Sequence, residues 1–117
     1  MTIRININPA PTFTVPVLIS VPGAEPAKIS VTFRHKGRKA LDAWIKRPAE
    51  AKTAGTEIAD ADYLGEIIAD WADIGADDRP VPYSRDALAD LLDAYPTSGT
   101  ELFNAYLKAL TEAREKN

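Results

Sequence analysis

Apolar and polar residues alternate along the first third of the chain, and then the period changes. Phe13, Val15, Val17, Ile19 and Val21 occupy every second position, as do Ile3, Ile5 and Ile7 before them and Ile29, Val31 and Phe33 after them. A period of two belongs to strands with one buried face. Val21-Pro22-Gly23-Ala24-Glu25-Pro26 supplies a turn between the last two sets, which predicts a β-hairpin. Pro16 has no amide donor, so its strand lies at a sheet edge or begins only at Val17. Because a lone hairpin is marginal in water, its apolar face is expected to rest on helices.

From Gly37 onward the apolar spacing becomes three and four. Leu41, Trp44 and Ile45 share one side of a short helix from Lys39 to Arg47, which Pro48 is expected to close, leaving Ala49 to Thr56 as a loop. Tyr63, Leu64, Ile67, Ile68, Trp71 and Ile74 predict a helix from Asp60 or Asp62 to about Ala72. Leu88, Leu91, Leu92 and Tyr95 predict another, capped by Ser84, with Asp86 near its positive end and Pro96 as its stop. Gly75, Pro80 and Pro82 interrupt the two, so they are expected to hinge at a Pro-rich link. Ser98-Gly99-Thr100-Glu101 has the form of a capping box, and Leu102, Phe103, Tyr106, Leu107, Leu110 and Ala113 line the helix it opens. The reading is one α+β domain over residues 1–117. A β-hairpin region at residues 1–36 precedes a mainly helical region at residues 37–117, with about four helices in total.

Composition narrows the class. The 117 residues are 45% apolar and 26% charged, typical of a globular domain. No apolar run is long enough to cross a bilayer, and Arg4, Asn6, Asn8 and Pro9 break any secretory-signal pattern at the N-terminus. The absence of cysteine removes disulfide and thiolate chemistry and suits a reducing cytoplasm. The net charge of −3 is unevenly spread: residues 1–56 carry +6, residues 57–93 carry −9, and residues 94–117 are neutral. Such a chain is expected to pair its halves, associate into a homo-oligomer, or offer an acidic face to a basic partner.

Candidate chemistry is sparse. His35 is the single histidine, so neither a zinc site nor a histidine relay can be assembled. Asp73, Asp77 and Asp78 lack the alternating spacing and closing glutamate of a calcium loop. Arg34, Lys36, Arg38 and Lys39 form a basic cluster too short, in an acidic chain, to predict nucleic-acid binding. No catalytic, metal or cofactor residue is assigned, and no cofactor is expected. Trp44, Trp71, Tyr95, Phe103 and Tyr106 read as packing. Tyr83, in the Pro-rich link, either plugs the junction or projects toward a partner.

The string Ile68-Ala69-Asp70-Trp71, the acidic link, Pro82-Tyr83-Ser84, Leu88, Leu91-Leu92, Tyr95-Pro96, Tyr106, Leu110 and the ending Ala113-Arg114-Glu115-Lys116-Asn117 resembles phage tail assembly chaperones of long-tailed phages and prophages. Val31-Thr32-Phe33-Arg34 followed by a charged helix is similar too, whereas the link is lengthened by Asp77-Asp78-Arg79-Pro80. The resemblance implies a non-enzymatic protein of the host bacterial cytoplasm that binds the tape measure protein and helps recruit tail tube protein, with no role for membrane or nucleic acid. The alternatives are a structural morphogenesis component, such as a head–tail connector or tail terminator, and a small enzyme. Trp71, Val81, Tyr83 and Tyr95 are the candidate partner-binding residues, because Val81-Pro82-Tyr83 offers apolar groups beside Asp77 and Asp78 that helix periodicity does not require.

Overall fold

The computed structural model describes residues 5–112, so Ile3 and the ending from Ala113 to Asn117 lie outside the described residues. Strands β1 (Thr12–Ile19) and β2 (Ala27–Arg34) form the expected antiparallel hairpin. Its turn is closed by the Ala24 N–H on the Val21 carbonyl at 3.1 Å, with Gly23 at φ +72° as Pro22-Gly23 requires. Val17, Ile19, Ile29, Val31 and Phe33 point into the core, and Thr14 and Thr32 meet on the opposite face with hydroxyl oxygens 2.8 Å apart. The sheet order is β1-β2-β3, which leaves β1 at an edge. The His35 N–H donates to the Pro11 carbonyl at 2.9 Å, so the ladder bonds fall on Phe13–Phe33 and every second pair beyond it. Pro16, in an intervening pair, turns its donorless nitrogen toward the open edge, and the strand runs through it from Thr12.

The third strand corrects the sequence reading. The helix expected from Asp60 to Ala72 ends early: α2 spans Asp60–Gly65, and Ile68–Ala72 is strand β3, antiparallel to β2. Val31 faces Trp71, Thr32 faces Asp70 and Phe33 faces Ile68, so Ala69 is an extra residue in a β-bulge. The bulge sets Ile68 and Trp71, three residues apart, on the same buried face, and this mimics a helical spacing. The link is therefore flanked by a strand and a helix. Within it β4 (Gly75–Ala76) and β5 (Arg79–Pro80) make a small hairpin whose turn holds Asp77 at φ 55°.

Four helices are present among the described residues. The first, α1 (Arg38–Thr53), runs through Pro48 and continues where a loop was expected. A proline cannot donate to the carbonyl four residues back, here that of Trp44. The Tyr63 hydroxyl supplies the missing bond, donating to the Trp44 carbonyl at 2.6 Å. Ile45, expected on the inner side, is 39% exposed. Helix α3 (Arg85–Ala94) begins as expected, with the Ala87 N–H donating to the Ser84 hydroxyl at 3.0 Å.

Helix α4 (Ser98–Thr111) does not use the capping box. Ser98 is fully buried, and its hydroxyl donates to the Tyr95 and Leu91 carbonyls at the end of α3, at 2.7 and 3.3 Å. Glu101 instead accepts from the Ser20 N–H and hydroxyl at the end of β1. Both capping groups are diverted to tie α4 to its neighbours.

One hydrophobic cluster joins the sheet to the helices. At its centre Trp44 stacks on Tyr63 with ring centroids 4.3 Å apart, and Tyr106 lies 5.5 Å from Trp44 and 5.1 Å from Phe33. The Tyr106 hydroxyl donates to the Arg34 carbonyl at 2.7 Å, and burial pushes its pKa up to about 12. Each buried aromatic polar atom thus has a partner, so the rings contribute apolar area without stranding a donor.

Candidate partner-binding site

Three of the four residues singled out from the sequence come together at the corner before α3. The Trp71 indole N–H donates to the Val81 carbonyl at 2.8 Å, and Tyr83 meets Trp71 edge to face, with centroids 5.1 Å apart and planes at 85°. The Val81 N–H donates to the Ile74 carbonyl at 2.9 Å, which fixes the link against the end of β3. Trp71 is buried, whereas Val81 and Tyr83 are half-buried. Tyr83 therefore both covers Trp71 and keeps part of its ring in solvent. Burial raises its phenol pKa, opposed by the Arg85 and Arg34 charges.

Tyr95 is not part of this corner. It caps the other end of α3, about 15 Å away by the rise of ten helical residues. There it adjoins a feature the sequence reading missed, a groove of about 250 Å³ where α2, α3 and α4 converge. Leu64, Leu92, Pro96, Gly99 and Phe103 supply apolar walls, and Asp60 and Thr100 add polar groups. The residues come from three helices, and periodicity within one helix does not reveal where different helices leave a gap. Gly99 keeps the groove open, since a Cβ there would lie 3.5 Å from Leu92 Cδ2 and 3.7 Å from Leu64 Cδ1.

The charges around these surfaces are mostly acidic. Asp86, Asp90 and Asp93 are exposed on α3, following one stripe at steps of four and three. Asp62 pairs with Arg85, whose guanidinium packs over Gly65, and Glu66 pairs with Arg47. One member of the basic cluster is engaged by the backbone: Arg34 donates to the Ile68 carbonyl at 2.7 Å. Among the described residues no three His, Cys, Asp or Glu side chains are grouped to hold a metal ion. No helix among them is long and apolar enough to cross a membrane.

A family model described as phage tail assembly chaperone matches residues 1–117. The chain belongs to that family. No curated protein and no solved structure matches it.

Proposed function

We propose that the chain is a non-enzymatic chaperone of long-tailed phage or prophage assembly in the host bacterial cytoplasm, which holds the tape measure protein and helps bring tail tube protein to it. Family membership over the whole chain supports the assembly role. The observation that carries the binding mode is the groove between α2, α3 and α4, apolar in its walls and bordered by Asp60. A concave apolar surface beside carboxylates suits an amphipathic helix whose apolar stripe is flanked by Lys or Arg. Tyr83 and Val81, backed by Trp71, form a second edge at the far end of α3, and Tyr95 stands outside the groove, next in the chain to Pro96 of its wall.

Two variants test this reading. Gly99→Leu fills the groove from a position where the first added atom meets only ordinary contacts, and removing a helical glycine favours α4. Tyr83→Ala removes the exposed edge. The expected result is at least a tenfold loss of binding to tape measure fragments in Gly99→Leu, with an unchanged or raised Tm. Tyr83→Ala should give a smaller loss. Full binding by both variants would overturn the assignment.

A further inference from the structure

We propose that the segment around Ile5 and Ile7 is a strand donor that adds to the open edge of β1 in a second copy of this chain. Ile5 is 95% exposed and Ile7 is 91% exposed, the two largest exposures among the large hydrophobic residues described. They alternate with Asn6 and Asn8, and Ile3 extends the alternation in the sequence. A period-two apolar segment left in water has the pattern of a strand without its sheet.

The acceptor is β1. Its pairing with β2 turns the backbone groups of Thr12, Thr14, Pro16 and Leu18 outward, and among the described residues Thr12, Thr14 and Leu18 have no backbone partner for those amides. Next to this edge Phe13 and Val15 are only half-buried, whereas Val17 and Ile19 further along the strand are buried. A strand laid there with its isoleucines on the core side covers Phe13 and Val15, while Asn6 falls on the polar face beside Thr12 and Thr14. The opposite edge of the sheet is a poorer acceptor. β3 is short and bulged, and its outward Trp71 N–H is already bonded to the Asp70 carboxylate at 2.9 Å.

The connection to β1 selects a second copy over the segment's own sheet. The chain bends at Ile7-Asn8, where the Asn8 N–H donates to the Asn6 Oδ1 at 2.9 Å, and Ala10 stands directly before Pro11, which disfavours the backbone that the second central residue of a tight Pro9-Ala10 turn back onto β1 requires. Donor and acceptor are different segments, so two copies can donate to each other in a closed pair or successively head to tail. It rests on ladder bonds and apolar burial, and so is insensitive to salt, unlike an association driven by the charge split.

Sedimentation and amide exchange of the full chain test the proposal. The wild-type protein is expected to exceed monomer mass as concentration rises, at low and high salt alike. Protection of the Thr14 amide should rise with it. The Ile5→Ser/Ile7→Ser variant should keep its Tm and associate roughly a hundredfold more weakly. A monomeric wild-type protein, association that survives in the variant, or Thr14 protection independent of concentration would overturn the proposal, the last because the segment then folds on its own β1. Thr14 protection that appears only with a tape measure fragment would assign the edge to the client and overturn it equally. This proposal stands apart from the groove, which Gly99→Leu probes separately.

Discussion

At the scale of single residues, the exchange between Pro48 and Tyr63 governs how α1 continues. The Tyr63 hydroxyl takes the place of the amide that Pro48 lacks, and its ring covers Trp44 at the same time. Tyr63→Phe keeps the stacking and leaves the Trp44 carbonyl without that donor. A buried acceptor stripped of its partner costs about 1–3 kcal/mol. Chemical denaturation of Tyr63→Phe should show a loss of that order. Pro48→Ala, which restores a backbone donor, should recover most of it in the double variant. Equal losses in Tyr63→Phe and in the double variant would show that the hydroxyl acts by some route other than the Trp44 carbonyl.

At the scale of elements, the bulge at Ala69 decides the fate of β3. It allows both Ile68 and Trp71 to enter the core, and Trp71 in turn holds Val81 and Tyr83. Deleting Ala69 brings Ile68 and Trp71 to a spacing of two, so both stay on the core face of a regular strand and the pairs Phe33–Ile68, Thr32–Asp70 and Val31–Trp71 are kept. The deletion variant is therefore expected to keep its near-ultraviolet spectrum, and loss of that spectrum would show that the bulge itself is needed to seat Trp71. The diverted capping box belongs to this scale as well. Ser98 and Glu101 have the sequence of a local cap, yet each finds a partner on another element that the assembled fold brings within reach.

For the whole molecule, the buried tyrosines set the alkaline limit of stability. Tyr106 has its pKa raised from the model-compound value of 10.0 to about 12 by burial, and Tyr63 is raised in the same direction, with Arg47 opposing. A raised phenol pKa means the folded state holds its proton more tightly than the unfolded chain. The contribution is therefore fully present below pH 10, and it is lost as pH rises from there through about 12. Within that window the stability should fall by about 1.4 kcal/mol per pH unit for this group. Tyr106→Phe should be less stable at neutral pH and should show a shallower decline above pH 10. Identical alkaline slopes in the two proteins would assign the decline to other groups. The single-domain reading adds that thermal unfolding should be one cooperative transition, with strand and aromatic signals coincident.

The sequence by itself determined the hairpin, the Pro22-Gly23 turn, the Ser84 cap, and the α+β class with its four helices. In each case the information is local. Alternation, a proline ring and a capping hydroxyl act within a few residues and need no distant partner. It also carried the family resemblance and three residues of the corner around Trp71. The tertiary structure alone decided β3, the length of α1, the use of Ser98 and Glu101, and the groove. A strand exists only where another strand receives it, and β2 draws residues 68–72 out of a helix whose spacing they otherwise satisfy. Helix α1 passes Pro48 because Tyr63, fifteen residues further along the chain, donates a hydrogen bond to the Trp44 carbonyl. The groove is the space left where three helices meet, a property of their mutual placement and of no one segment.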